Sequence, residues 1–77
     1  MPEFTPISNI HDLAMQDSAE MIEGYRAGLD AAPEPGSDKS RAFWHGWRNG
    51  MTDKGRQPID QAQRELAEQI VRKNRAH

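Results

Sequence analysis

The chain contains no cysteine, and its 77 residues include no long apolar run. Without cysteine no disulfide can form, and zinc sites built on thiolates are excluded. No stretch approaches the roughly 20 apolar residues that span a bilayer, and the first ten residues lack the basic start and apolar centre of a secretory signal. We therefore expect a soluble, cytoplasmic protein with no covalent cross-link and no membrane contact.

Cations are nearly absent from the first half of the chain. Seven acidic residues precede Gly36 against Arg26 alone, whereas nine basic and five acidic residues follow it, and the net charge is only −2. This asymmetry has two interpretations: a basic surface that meets a polyanion, or two oppositely charged helices that attract each other within the molecule. Composition alone leaves both open.

The chain is also short. A domain of 77 residues buries only roughly 60% of its unfolded surface, and such domains commonly depend on a disulfide, a metal or a partner chain. His11, His45 and His77 have no metal-ligand spacing, so we expect no metal and no cofactor. Self-association or another partner is then the leading source of extra stability.

The sequence predicts three main helical segments. The run DSAE from Asp17 is a capping-box pattern that starts a helix reaching about Ala32, where Pro33 stops it. Residues 33–36 are typical of a tight turn, and Ser37 is the expected N-cap of a second helix that ends at Gly55. Residues 58–75 carry apolar positions at spacings of three and four, which predicts an amphipathic helix.

These elements suggest an order along the chain. Residues 1–7 contain two prolines and are expected to be disordered. Residues 8–55 form the predicted helical domain, which opens with a short helix at 8–15, and residues 56–77 form the C-terminal amphipathic helix. The apolar stripe of that last helix is thin, so docking onto the core, pairing with a second copy and fraying all remain open.

One phrase occurs twice at a spacing of 22: GYRAGL from residue 24 and GWRNGM from residue 46. On a helix, the two glycines of each copy lie along one edge of an apolar arc. Glycine inside a helix costs roughly 1 kcal/mol relative to alanine. Four helical glycines therefore indicate positions at which a side chain would prevent a close contact. We expect an all-α hairpin whose backbones meet at these glycines, with C-terminal capping as the alternative for Gly28 and Gly50.

The other side of the second predicted helix carries Arg41, Trp44, His45 and Arg48. Their spacing is expected to point both guanidinium groups away from the core, with the two rings between them. Arginine and lysine neutralise phosphates, and aromatic rings stack on unpaired bases. The pattern favours RNA binding through Arg26, Lys39, Arg41, Trp44, Arg48, Lys54 and Arg56. The alternative is that Trp44 completes the core and the arginines form a solvated face.

Catalysis is not expected. The chain has no glycine-rich phosphate loop that ends in Gly-Lys-Ser or Gly-Lys-Thr. Ser40 and His45 are five residues apart on one predicted helix and so point in different directions. A core this small is also expected to hold no useful pocket, and therefore no small-molecule substrate.

Residues 24–53 resemble the ribosome modulation factor family of small bacterial proteins. The phrase GYRAG, a proline-containing turn and then RAFWHGWRNGM follow the order and spacing of that family's motifs. The residues that carry the resemblance are Gly24, Tyr25, Ala27, Gly28, Gly46, Trp47 and Arg48, with Phe43 where the family often has tryptophan and Gly50 ending the second phrase.

The resemblance implies a two-helix hairpin that binds the ribosome, chiefly through ribosomal RNA near the messenger-binding region, and promotes dimerised, silent ribosomes in stationary phase. Three features depart from the family: the net acidic charge, the turn Ala32-Pro33-Glu34, and the segments 8–15 and 58–75, which have no counterpart there. The alternative function is therefore a diverged helical module that binds proteins or itself, including a homodimer through the C-terminal helix, without nucleic acid.

Overall fold

Four α-helices make up the regular structure of the protein. The structure, a computed structural model, describes residues 4–75, and its helices are α1 (Ile10–Ala14), α2 (Ser18–Leu29), α3 (Arg41–Asp53) and α4 (Gln61–Arg75). Residues 4–75 contain no strand. The predicted all-α fold is confirmed, and α1 corresponds to the short helix expected at 8–15. The predicted hairpin is wrong: residue 24 of α2 lies against residue 43 of α3 and residue 28 against residue 47, so the two helices cross in the same direction rather than antiparallel. Residues 1–3 of the segment predicted to be disordered lie outside the described range.

α2 has a side-chain cap at its start and a left-handed residue at its end. The Asp17 carboxylate accepts hydrogen bonds from the backbone N–H groups two and three residues further on, at 2.9 and 3.2 Å. At the other end Ala31 has a φ of 59°, and Ala32 N donates to Ala27 O at 3.0 Å. This is a Schellman motif, in which glycine usually occupies the left-handed position.

α3 begins later than the sequence predicted. The hydroxyl of Ser40 accepts a hydrogen bond from the backbone N–H three residues further on at 3.1 Å, so Ser40 is the N-cap. The expectation that Ser37 caps this helix is wrong, because a turn closed by Lys39 N donating to Gly36 O at 3.1 Å precedes it. At the C-terminal end Gly55, with a φ of 71°, follows the helix as expected.

The repeated glycines lie where α2 crosses α3. A Cβ placed on Gly46 would lie 2.8 Å from the backbone nitrogen of Tyr25, and one on Gly24 would lie 2.7 Å from a backbone carbonyl carbon of α3. The closest backbone nitrogens would be 2.9 Å from a Cβ on Gly28 and 2.8 Å from one on Gly50. All four glycines thus permit a backbone contact that no side chain could enter, and the capping alternative for Gly28 and Gly50 is wrong.

α3 is the central helix, and it is covered by more than α2. Trp44 and Trp47 are each 3% exposed, and Trp47 Nε1 donates to Ala32 O in the turn at 2.7 Å. The segment before α1 packs here as well: Ile7 is 1% exposed, and the Phe4 ring lies 5.6 Å from that of Trp44. The expectation of disorder through residue 7 is therefore wrong for residues 4–7.

α4 begins at a local cap and is hydrogen-bonded to the N-terminal segment further along. At its start Gln63 N donates to Asp60 Oδ1 at 2.9 Å and Asp60 N donates to Gln63 Oε1 at 3.0 Å, a reciprocal cap that begins the helix at residue 61. Further along, the Gln69 amide donates to the carbonyl of residue 8 and accepts from the N–H of residue 10. Leu66 is the buried apolar residue between these two points.

Candidate functional site

The structure divides the predicted RNA-binding residues into two groups. Arg41, Trp44 and Arg48 lie on α3 in contact with other segments, whereas the remaining four are exposed: Arg26, Lys39, Lys54 and Arg56. The seven residues are not brought together as one basic surface.

Arg41 is held by the N-terminal segment. Its guanidinium donates to both carboxylate oxygens of Asp12, at 2.7 and 2.6 Å, and its Nε donates to the carbonyl of Thr5 at 2.7 Å. A further hydrogen bond of 3.3 Å reaches the carbonyl of Pro6. The hydrogen bonds from Arg41 lower the pKa of the Asp12 carboxyl below its ordinary value. The expectation that Arg41 points into solvent is wrong, because these acceptors occupy its donors.

Arg48 and Trp44 are buried. Arg48 is only 8% exposed, forms an ion pair with Asp60, and places its guanidinium carbon 4.6 Å from the centre of the Trp44 ring. Trp44 Nε1 donates to Glu34 Oε2 at 2.9 Å. For Trp44 the alternative of a core residue is confirmed. The outward orientation predicted for Arg48 is wrong, because α4 begins directly against it.

A polar chain connects these groups to His45. Gln63 Nε2 donates to Asn49 Oδ1 at 3.1 Å, so the Asn49 amide nitrogen faces His45 Nε2, which lies 3.2 Å away and acts as the acceptor. Burial lowers the pKa of His45, and the charges of Arg48 and Arg41 add to this effect, whereas Asp12 opposes it. His45 is therefore a structural, neutral side chain rather than a free imidazole.

Sequence analysis did not identify the carboxylates and amides that bond to the cationic side of α3. One of them had a signal: Asp60 and Gln63 have the spacing of a capping box, which places a helix start between them. Asp12 and Glu34 had none, because they lie 29 and 10 positions from the residues they bond.

The exposed cations have few partners. Lys39 Nζ lies 5.2 Å from the centre of the Phe43 ring, and Arg56 donates to the carbonyl of Leu29 at 2.9 Å, which satisfies one carbonyl at the end of α2. Among residues 4–75, neither these two nor Arg26 and Lys54 forms an ion pair.

An open apolar groove of about 350 Å³ runs between α2 and α4, with α3 as its floor. This groove is open to solvent and lies between helices at the surface, whereas the expectation from the sequence concerned a pocket within the core. Its apolar wall includes Ile22, which is 53% exposed, and Ile70, which is 40% exposed. The lining residues that are apolar or aromatic are Leu13, Met21, Ile22, Tyr25, Leu66 and Ile70.

A second feature is the outer face of α4, by which we mean the exposed residues of this helix: Gln61, Arg64, Glu65, Ala67, Glu68, Ile70, Val71, Arg72, Lys73, Asn74 and Arg75. Val71 is 49% exposed. The charges on this face are loosely held: Arg72 and Glu68 approach to 3.9 Å, and their side chains are 78% and 68% exposed. A shallow hollow of about 320 Å³ lies on this face, lined by Ala67, Glu68, Val71, Arg72 and Arg75.

Other kinds of site find no support in the described part of the chain. No group of three histidine, aspartate or glutamate side chains within residues 4–75 could hold a metal ion. No helix in that range has the length and apolar character needed to cross a bilayer. Comparisons with protein-family models, with curated proteins and with solved structures find no match to this chain.

Proposed function

We propose that this chain is a self-associating helical module, and that α4 supplies the surface through which two copies meet. The observation that carries this proposal is the exposure of Ile70 and Val71 on α4, a helix whose Gln69 side chain is hydrogen-bonded to the backbone of residues 8 and 10. RNA binding through the cationic side of α3 has less support, because Arg41 and Arg48 are already bonded to carboxylates of their own chain.

The exposed apolar residues are neighbours rather than scattered. Ile22 and Ile70 line one groove, and Ile59, Ala67 and Ile70 line an adjoining hollow on the other side of Leu66. Single exposed apolar residues are normal, but a continuous patch is typical of an interaction surface. A short chain without disulfide or metal also gains from a partner, because its own core is small.

Sedimentation equilibrium tests this function. We expect the wild-type chain to reach a dimer as its concentration rises, and Val71→Glu to shift it towards monomer, since burying a carboxylate in the contact costs free energy. Met15→Glu is the matched control: Met15 is 84% exposed and lies in the link between α1 and α2, so this variant should dimerise as the wild type does. A wild-type chain that stays monomeric throughout would refute the proposal.

A second candidate follows from the resemblance to the ribosome modulation factor family. Under this proposal the chain binds ribosomal RNA and modulates translation in bacteria under stress. The observation that favours it is the exposure of Arg26, Lys39 and Lys54 without ion-pair partners among residues 4–75. Cations that face water can neutralise phosphates, and such binding weakens steeply as the salt concentration rises.

Cosedimentation with ribosomes at low and physiological salt tests the second candidate. Replacing Arg41 or Arg48 would disturb folding, so the informative variant is Lys39→Glu with Lys54→Glu. We expect wild type to pellet with ribosomes at low salt and this variant to remain in solution. Equal pelleting of both proteins, or of neither, would reject RNA binding through these residues.

A further inference from the structure

We infer that the groove between α2 and α4 binds an uncharged, largely apolar small molecule that presents one carbonyl oxygen to His45. The groove has a volume of about 350 Å³, and His45 on α3 is one of its lining residues. This inference goes beyond the self-association proposed above and does not rest on it. It depends on a ring nitrogen that has no partner in the protein and on walls that carry no charge.

A run of hydrogen bonds that begins at a backbone N–H fixes the tautomer of His45. The N–H of Asp60 can only donate, so Gln63 Oε1 is its acceptor at 3.0 Å, and the amide nitrogen of Gln63 is the atom that faces Asn49. In the same way Asn49 Oδ1 accepts, and its Nδ2 donates to His45 Nε2 at 3.2 Å. Because Nε2 accepts, the neutral imidazole carries its proton on Nδ1.

The Nδ1–H group of His45 has no acceptor among residues 4–75. Within that range the one hydrogen bond of this side chain is the bond to Asn49, although His45 is only 4% exposed. No fully buried side-chain nitrogen or oxygen in the described residues lacks a partner, so Nδ1 retains contact with open space, and His45 lines the groove. Since buried polar groups are nearly always hydrogen-bonded, this donor indicates a site for an acceptor.

The groove offers no charge to a ligand. None of its lining residues is charged, and the two guanidinium groups that lower the pKa of His45, those of Arg41 and Arg48, are paired with carboxylates of their own chain. An ion bound here would lose water without gaining a counter-ion, which costs free energy. Asp17, the sequence neighbour of the lining residue Ser18, further disfavours an anion. The acceptor that fits is therefore an uncharged oxygen, such as that of a ketone or an ester.

Apolar side chains form the two walls of the groove. α2 contributes Met21 and Ile22, and α4 contributes Leu66 and Ile70. Ile22 is 53% exposed and Ile70 is 40% exposed, so an apolar body placed between them removes apolar surface from water, which favours binding. A water molecule would bond to the same N–H but would find few further polar partners beside these walls. The volume is at the lower end of the range for ligand sites, which suits a ligand of about one ring.

Chemical-shift titrations with three probes of similar shape test the site. Acetophenone carries a carbonyl, ethylbenzene lacks it, and benzoate adds a negative charge. We expect saturable shifts of the amides of Ile22, His45 and Ile70 with acetophenone, and about tenfold weaker binding of benzoate because it has no counter-ion in the groove. Absence of saturable shifts below about 10 mM acetophenone would overturn the site.

His45→Phe tests the donor, because phenylalanine keeps a ring in place and removes the Nδ1–H group. This variant should bind acetophenone about fivefold more weakly than wild type, which is the usual contribution of one neutral hydrogen bond. It should bind ethylbenzene as wild type does. Equal losses for the two probes, or no loss for either, would show that the carbonyl does not bond to His45.

Ile22→Ser and Met15→Ser are a matched pair that leaves His45 in place. Both remove an exposed apolar side chain, 53% and 84% exposed, so both variants should fold, and only Ile22 lines the groove. We expect Ile22→Ser to bind acetophenone about fivefold more weakly and Met15→Ser to bind it as wild type does. Equal affinities of the two variants would place the ligand elsewhere.

The titrations also remain separate from the proposed function. Every titration uses the same protein concentration, so that self-association contributes equally to each. A wild-type chain that is monomeric but binds acetophenone in the groove would refute the proposed function and support this site. A chain that dimerises and shows no saturable shifts would do the reverse.

Discussion

Gly46→Ala is the most direct test of the contact between α2 and α3. The added Cβ would meet the carbonyl oxygen of Met21, and it would lie 2.8 Å from Tyr25 N and 2.9 Å from the Met21 carbonyl carbon. These are backbone atoms in the middle of α2, so no side chain can rotate away. The two helices must therefore move apart at this crossing before the methyl group fits.

Two effects of opposite sign determine the magnitude. Alanine improves the helix propensity of α3 by roughly 1 kcal/mol. Overpacking a close contact costs typically 1–3 kcal/mol, and here the obstruction is rigid, so a cost at or above roughly 3 kcal/mol is the appropriate value. We therefore expect a net loss of about 2 kcal/mol in the free energy of unfolding. A chain of this length has roughly 4–12 kcal/mol in total, so the loss is large.

Urea unfolding monitored by tryptophan fluorescence measures this effect, because Trp44 and Trp47 are both buried and will report solvent exposure. With a slope of about 1 kcal/mol per molar urea, the midpoint should fall by about 2 M. The protein concentration must be the same in every sample, since self-association adds to apparent stability.

Gly36→Ala is the matched control. A Cβ there would meet only Asp38 Oδ1 at 3.7 Å, which is ordinary van der Waals contact. This variant should be as stable as wild type or slightly more so, because alanine restricts the unfolded chain. If Gly46→Ala also unfolded at the wild-type urea concentration, close backbone packing would not be the reason for the repeated glycines.

Three further predictions, which use four substitutions, have a defined sign. Ala31→Gly should stabilise the chain by about 0.5–1 kcal/mol, because the backbone of Ala31 has a left-handed conformation with a φ of 59°. Gly55→Ala should destabilise the chain by a similar amount, because Gly55 has a φ of 71°. Equal melting temperatures of the two variants would contradict both predictions. Burial lowers the pKa of His45 below its ordinary value of 6.5, so the unfolded chain binds more protons than the folded chain as the pH falls through that value, and stability should decrease there. His45→Gln should remove this part of the pH dependence of the unfolding free energy, as measured by urea titrations at several pH values. An unchanged pH dependence would show that other groups cause it. Asp12→Asn should cost about 1 kcal/mol, because the charge pair with Arg41 is lost while the carbonyl acceptors remain; an unchanged urea midpoint would show that the pair contributes nothing measurable.

Local features of the fold were predictable from the sequence. The capping pattern at Asp17 predicted the start of α2, and the 22-residue repeat predicted that the same face of two helices would meet at glycines. Both inferences depend on contacts within one helical turn or on the helical period, which a sequence displays directly. The shift of the α3 cap from Ser37 to Ser40 was not predictable in this way, because both serines can cap.

Tertiary structure determined whether the cationic side of α3 is exposed or covered. The helical period placed Arg41 and Arg48 away from the glycine seam, and in that respect the sequence was informative. It did not show that the segment before α1 and the start of α4 would cover this side, since Asp12 lies 29 residues from the arginine it binds.

The sequence by itself therefore determined that α2 and α3 pack at their glycines, because only residues without a Cβ allow that backbone distance. Whether the opposite side of α3 faces water or other parts of the chain depended on where two distant segments dock. Such docking is the sum of many weak long-range contacts, and no local pattern encodes it.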